Sequence, residues 1–173
     1  MRPLGDSLRA ASILLLVCAT GCAGYRLGPA NGVAAGEKTA QVTTFINQTL
    51  QPRLTDAVTS QMRKELQRDG TYRLASDNDS DIVVSGTLTG YQRNEVTLAS
   101  NDILTVRDFR LTLTAHVTAR ERSTGKTILD QPVTGHTLIR VGNDLPSAER
   151  QALPLLAEDL AKNVTALLVE GKW

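Results

Sequence analysis

The clearest pattern in the chain is an unbroken alternation of apolar and polar residues from Phe109 to Arg120. Apolar side chains occupy every second position, and arginine, threonine and histidine fill the positions between them. A period of two residues is typical of a β-strand with one buried face and one polar face. Residues 127–141 continue the pattern after a turn at residues 123–126, so the sequence predicts a long antiparallel hairpin.

Two other segments have the spacing of amphipathic helices. In the first, an apolar residue recurs every four positions until Asp69 and Gly70, where a glycine C-cap is predicted. The second begins at residues 143–146, and Pro154 predicts that its main helix either starts near Leu153 or kinks there. The two apolar stripes consist of Leu54, Val58, Met62 and Leu66, and of Leu153, Leu156, Leu160, Val164, Leu167 and Leu168.

Three further strands complete the predicted secondary structure. Residues 41–46 are rich in β-branched and aromatic residues, residues 72–74 are a candidate short strand, and residues 81–91 have a strong strand pattern. The order of strand, helix, several strands and helix predicts an α+β fold. We expect a two-layer sandwich in which both helices pack on one face of a mostly antiparallel sheet of about four strands.

The N-terminus has the layout of a signal peptide. Two arginines precede the apolar residues 10–19, a stretch shorter than the roughly 20 residues that cross a bilayer. The sequence Ala19-Thr20-Gly21-Cys22 resembles a bacterial lipobox, with small residues before the cysteine, and therefore predicts lipidation of Cys22. An ordinary secretory signal with Cys22 as a free thiol is the alternative.

These features divide the chain into three parts. Residues 1–21 are the predicted signal peptide, residues 22–38 a lipidated N-terminus and flexible glycine-rich tether, and residues 39–173 a single α+β domain. Because Ala23, and not aspartate, follows the cysteine, the enterobacterial sorting rule favours the outer membrane. The lipid anchor would hold the protein to that membrane on its periplasmic side.

Composition and motifs argue against several classes of function. A net charge of +1 and an aromatic content of 3% disfavour nucleic-acid binding. His116 and His136 lie at polar strand positions without a nucleophile motif, so we predict neither an enzyme nor a cofactor site. Residues 77–81 alternate oxygen-bearing side chains, but they lack the glycine and glutamate of an EF-hand loop. A polar turn is favoured there, and no metal site is predicted.

Several short motifs, in order, resemble an LPS-assembly lipoprotein of the LptE type. The lipidated cysteine is followed closely by Gly24-Tyr25, and Phe45-Ile46-Asn47-Gln48-Thr49 resembles the family's first strand and Asn-x-Thr break. Ser80-Asp81-Ile82-Val83-Val84 resembles its Ala-Asp strand, with serine in place of alanine. The final helix running to Trp173 is also similar, so the resemblance spans most of residues 22–173.

The resemblance implies a binding function and no enzymatic activity. It implies a cell-outer-membrane lipoprotein that plugs the β-barrel of the lipopolysaccharide translocon LptD, assists its folding and supports lipopolysaccharide insertion into the outer leaflet. The polar strand face could meet a polar barrel lumen without burying apolar surface. The alternative is a lipoprotein accessory or activator of a cell-wall synthase or transport complex, although a tether reaching roughly 50 Å favours a partner in the outer membrane.

Three arginines are candidate contacts with the partner or with lipopolysaccharide phosphates. Arg93 and Arg107 belong to residues 92–107, which are predicted to be a loop between two strong strands. Arg110 lies on the polar face of the alternating strand. Guanidinium groups suit phosphate because they form paired, charge-assisted hydrogen bonds. For the loop, the alternative is an ordinary extension of the hairpin without a binding role. For the polar face, the alternative is a surface that is only solvated.

Overall fold

The computed structural model describes residues 35–76, 79–96, 107–141 and 144–170, with the backbone only at Arg107 and Val141. Within these ranges the chain forms six strands and two helices. In order they are β1 (Lys38–Val42), β2 (Ile46–Asn47), α1 (Leu54–Asp69), β3 (Tyr72–Leu74), β4 (Ile82–Glu95), β5 (Arg107–Glu121), β6 (Thr127–Val141) and α2 (Leu145–Glu170). The α+β class and the two-layer arrangement are therefore confirmed.

The sheet is larger than expected and mixed in direction. Its strand order is β3-β1-β4-β5-β6, with β2 paired separately to β4. The pairs β4–β5 and β5–β6 are antiparallel, as the alternation predicted. Three pairs are parallel: β1–β3, β1–β4 and β2–β4. The expected sheet of about four mostly antiparallel strands is therefore corrected to a mixed sheet of six strands. The crossover through α1 makes β1, α1 and β3 a β-α-β unit.

The predicted first strand is divided into two. β1 ends at Val42, and the backbone N–H of Thr43 still donates to the carbonyl of Val84 at 2.9 Å. The side chain of Phe45 is 1% exposed, and its backbone N–H donates to the hydroxyl of Thr59 in α1. The chain then returns to β4 as β2. Burial of Phe45 beneath α1 thus interrupts a continuous run of β-forming residues.

Both helices bury the stripes that the sequence predicted, except that Leu167 of α2 is only partly buried. Leu54, Val58, Met62 and Leu66 of α1 are all fully buried, and Gly70 ends the helix with a positive φ of 77° and an N–H bonded to Leu66. The second helix continues through Pro154, which lies on its exposed side, so the predicted start near Leu153 is wrong, whereas a kink there stays a prediction. Neither helix within the described ranges is both long and apolar enough to cross a membrane.

Two glycines allow close approach between layers. At Gly86 in β4, an added Cβ would lie 2.8 Å from Cδ1 of Phe45. At Gly135 in β6, it would lie 2.6 Å from the backbone nitrogen of Leu160 and 2.8 Å from its Cα. The sheet therefore contacts a side chain at the first position and the backbone of α2 at the second.

The start of β4 is fastened to β1 by one carboxylate. The Oδ2 atom of Asp81 accepts hydrogen bonds from the backbone N–H and the hydroxyl of Thr39, at 2.7 and 2.8 Å. The backbone N–H of Asp81 donates in turn to the Thr39 hydroxyl at 2.9 Å. The Thr39 backbone donor lowers the pKa of Asp81 below its ordinary value of 3.8. The aspartate of the Ser80-Asp81 motif therefore has a structural role at the parallel strand pair.

We expect Asp81→Asn to lower the melting temperature at pH 7 by about 3 °C. A carboxylate with a depressed pKa in the folded protein stabilises it above the unfolded pKa, and this stabilisation is lost as the pH falls through the folded pKa. The difference from the wild type should therefore shrink below pH 3.8. Thermal unfolding at several pH values from pH 7 to pH 2.5 measures this difference in melting temperature, and Asp79→Asn serves as a neighbouring control. A difference that stays constant over this range would contradict the assigned role.

Candidate functional site: the polar face of the sheet

The face of the sheet opposite the helices is polar along β5 and β6. Alternate residues of β5 point to it, while those between them are buried against the helices. These are the residues that the sequence pattern assigned to a polar face: Arg110, Thr112, Thr114, His116 and Thr118. Because both helices pack on the other face, none of the described helices or strands covers this surface.

Cross-strand hydrogen bonds organise the centre of the polar face. Nε2 of His116 lies 2.6 Å from Oδ1 of Asp130, and the hydroxyl of Thr118 donates to the same oxygen at 3.4 Å. The hydroxyl of Thr112 lies 3.3 Å from Nδ1 of His136. These bonds join β5 to β6 through side chains that remain exposed, so the centre of the face is a hydrogen-bonded polar surface.

At the end of the hairpin near the loop, the face carries one ion pair and one available cation. Nε of Arg140 donates to Oδ1 of Asp108 at 3.0 Å, and this pair lowers the pKa of Asp108. Arg110 is exposed and has no hydrogen bond or ion pair with any residue in the ranges given above. Leu138, paired with Arg110 in register, is 63% exposed. Arg110 can therefore contact a partner without breaking a bond to any described residue.

Arg93 lies on the opposite face of the sheet from Arg110. The pairing of β4 with β5 shifts register between Leu88 and Gly90, which marks a β-bulge. Before the bulge, Leu88 points toward the helices, and after it Arg93, opposite Leu111, does so. One extra residue reverses which side chains face the core. The structure therefore does not bring Arg93 and Arg110 together around one ligand group.

The guanidinium of Arg93 is occupied within the protein. Its Nη1 atom donates to Oε1 of Glu149 near the start of α2, and its Cζ lies 5.7 Å from the centre of the Phe109 ring. The side chain of Glu149 is only 13% exposed, against 41% for Arg93. Nothing in the sequence marked Glu149 as the partner, because the two residues are distant along the chain. This pair fixes the end of β4 to the second helix.

The remaining predicted site residues lie outside what the structure describes. Cys22 is in the part of the chain before residue 35, and the side chain of Arg107 is not described. The predicted loop at residues 92–107 is shorter than expected, because β4 continues to Glu95 and β5 begins at Arg107. Lipidation of Cys22 and ligand contact by Arg107 remain predictions.

A cavity of about 350 Å³ lies at the β-bulge, lined by residues 48–51 and 89–92. Tyr91 is one of the lining residues, and its hydroxyl is buried with no hydrogen-bond partner in the described part of the chain. Burial raises the pKa of Tyr91 to about 12. At neutral pH this residue is therefore an uncharged phenol.

Comparison with known sequences identifies the family. The sequence model of the LptE lipopolysaccharide-assembly family matches residues 37–168. The chain belongs to the LptE family. No curated protein matches this LptE-family chain in sequence. The match covers the whole sheet and nearly all of both helices.

Solved structures share the fold. A protein from Chlamydia trachomatis has a TM-score of 0.54 and 10% identity, covering 77% of this chain and 95% of its own. A protein from Xanthomonas campestris has a TM-score of 0.54 and 9% identity, covering 84% and 91% of the two chains. At these identities the likeness concerns the fold alone.

Membership confirms the resemblance that the motifs indicated. The LptE family consists of non-enzymatic bacterial lipoproteins that act in lipopolysaccharide assembly. Family membership therefore supports a role in lipopolysaccharide assembly for this chain.

Proposed function

We propose that this protein plugs the β-barrel of an LptD-type translocon in the outer membrane, assists its folding and supports the placement of lipopolysaccharide in the outer leaflet. Residues 1–21 are removed, Cys22 carries the lipid anchor, and residues 22–38 tether the single domain to the periplasmic side of the membrane. The observation that carries this proposal is the uncovered polar face of β5 and β6.

The polar face suits the inside of a barrel. The lumen of an outer-membrane barrel is polar and hydrated, while its apolar residues face the lipid. A plug must therefore present hydrogen-bonding groups and needs no large apolar patch. The threonines, His116, Asp130 and His136 supply such groups, and the core remains sealed by the helices on the other face.

Arg110 is the candidate that we favour for contact with lipopolysaccharide phosphate or with an acidic group of the barrel. It is exposed, lies on the polar face and has no partner within the described ranges. Arg107 remains a second candidate. Arg93 is a weaker one, because its release from Glu149 would leave a carboxylate that is 13% exposed without its partner.

The experiment is purification of the tagged protein, carrying Cys22, from outer membranes, followed by mass spectrometry of what remains bound at stoichiometric level. We expect a large outer-membrane barrel protein to be recovered with it.

We also expect Arg110→Glu to weaken binding of the barrel or of lipopolysaccharide by about tenfold, since a charged hydrogen bond is lost and a repulsive charge is added.

The matched control is Lys64→Glu, the same change of charge on the exposed side of α1. It should leave binding unchanged, because it lies in the helical layer. Recovery of a cell-wall synthase or a transport complex with no barrel would overturn the proposal in favour of an accessory lipoprotein. Equal effects of the two substitutions would instead remove the role of Arg110 and of the polar face.

A further inference from the structure

The outer edge of β6 is closed by the chain itself. Pro132 has no N–H to offer, the side chain of Asn163 donates to the carbonyl of Thr134 at 2.8 Å, and the N–H of His136 donates to Asp159 at 2.8 Å. Exposed strand edges attract other strands, and proteins commonly block them in such ways. Two side chains of α2 and one proline therefore protect the middle of this long edge.

Within the described part of the chain, the edge of β4 beyond the bulge has no such protection. β2 pairs with β4 only at Thr87 and Leu88, and the last backbone bond between them runs from the N–H of Gln48 to the carbonyl of Leu88. The chain then turns away through residues 48–51. Among the described residues, positions 90–95 of β4 are paired on one side only, with β5.

The register shows which backbone groups point away from β5. The N–H of Val96 donates to the carbonyl of Asp108 at 2.8 Å. Because direction alternates along an antiparallel strand, the backbone groups of Gln92 and Asn94 also face β5, and those of the residues between them face outward. The outward-facing N–H and C=O groups belong to Tyr91, Arg93 and Glu95.

This edge is accessible. Every residue from position 92 to position 95 is exposed, and the cavity of about 350 Å³ adjoins it at the end of β2. Leu50, on the rim of that cavity, is fully exposed. A strand placed here would continue the line of β2 and could insert a side chain into the cavity beside Leu50 and Tyr91.

We propose that the open edge of β4, residues 91–95, binds an extended segment of the barrel partner by strand addition. This inference rests on the proposed function, because the barrel is the source of the segment. A row of alternating N–H and C=O groups is matched by another polypeptide backbone in extended conformation. The strands of a closed barrel are already paired with one another, so the segment comes from a loop or a terminus.

The two faces of the edge define the segment further. On the helix side it meets Tyr91 and Arg93, whose charge is already neutralised by Glu149, and the cavity with Leu50 adjoins the start of the edge. On the other side it meets Gln92 and Asn94, both polar and exposed. The segment is therefore expected to alternate apolar and polar residues, with an apolar side chain toward the cavity and no proline opposite the outward-facing carbonyls.

The test is residue-resolved amide hydrogen exchange of the purified barrel complex and of the free protein. In the free protein, the N–H groups of Tyr91, Arg93 and Glu95 should exchange rapidly, whereas those of Gln92 and Asn94 should be protected by β5. In the complex, the three outward-facing groups should slow by at least about a hundredfold, as expected for amides that enter a stable ladder.

Paired substitutions separate hydrogen bonding from simple burial. Glu95→Pro removes one outward-facing N–H at an edge position where proline is tolerated, and Glu95→Ala removes only the side chain. We expect the proline variant to bind the barrel about tenfold more weakly and the alanine variant to bind normally. Thermal unfolding of the free variants shows whether each remains folded.

The possible outcomes distinguish the two proposals. Slowed exchange at the three outward-facing amides, with weaker binding by Glu95→Pro, supports strand addition. A stable barrel complex in which these amides exchange as in the free protein overturns strand addition and leaves the plugging function intact. Failure to recover any barrel overturns both. If Glu95→Pro does not fold, the exchange measurement on the unmodified complex still decides.

Discussion

Gly135→Ala is expected to lower the free energy of unfolding by about 3 kcal/mol, the upper part of the range for overpacking. The added Cβ would lie 2.6 Å from the backbone nitrogen of Leu160 and 2.8 Å from its Cα. A helix backbone cannot rotate aside as a side chain can, so α2 must move away from β6. That movement would loosen the packing of Leu156 and Leu160, both fully buried.

Urea unfolding followed by circular dichroism measures the change. Gly90→Ala, in strand β4 of the same sheet, is the matched control, because its Cβ would meet the Cβ of Thr114 at an ordinary 3.7 Å. We expect the control to change the free energy of unfolding by less than about 0.5 kcal/mol. Equal stability of the two variants would contradict the close contact between β6 and α2.

Phe45→Ala should have an effect of similar size, about 3–5 kcal/mol. The ring is 1% exposed, lies over Gly86 and fills the space between β4 and α1. Its removal leaves a cavity that the parallel strands β1 and β2 cannot close without breaking their bonds to β4. Urea unfolding again measures the change. A decrease in the free energy of unfolding below about 1 kcal/mol would contradict this prediction and show that the layers collapse to fill the cavity.

A double-mutant cycle tests the contact itself. Gly86→Ala alone should be destabilising, because the new Cβ would lie 2.8 Å from Cδ1 of Phe45. In the Phe45→Ala variant the ring is absent, so Gly86→Ala should lower the free energy of unfolding by a smaller amount. We expect a coupling energy of at least about 0.5 kcal/mol, and strictly additive values would place the ring elsewhere.

The elements that could be predicted from the sequence are those set by local periodicity. The alternation from Phe109 to Arg120 identified β5, and the four-residue spacing from Leu54 to Leu66 identified α1. The parallel pairings could not be predicted, because the pairing of Ala40 with Ile82 depends on the crossover through α1 and leaves no periodic signal. The sequence analysis therefore predicted too few strands in the sheet and missed its parallel pairs.

The candidate site was predictable to a similar extent. Alternation was enough to assign Arg110 to the polar face. It could not assign Arg93, because the bulge between Leu88 and Gly90 inserts one residue and reverses the phase of the rest of β4. The Asp108–Arg140 pair could not be inferred from the turn at residues 123–126 alone, because a register shift between Ala119 and Arg120 changes the pairing of β5 with β6 by one residue.

The position of β1 within the sheet has a consequence for the order in which the protein folds. β1 lies between β3 and β4, and Val42 pairs with Val84. Because the chain is synthesised from its N-terminus, β1 is made well before β3 and β4, the strands on either side of it. In contrast, β4, β5 and β6 follow one another along the chain and pair as neighbours. Closing the longer loops costs more entropy, so we expect the consecutive hairpins to form first. β1, the first of the described strands to be synthesised, would then be among the last to join the sheet.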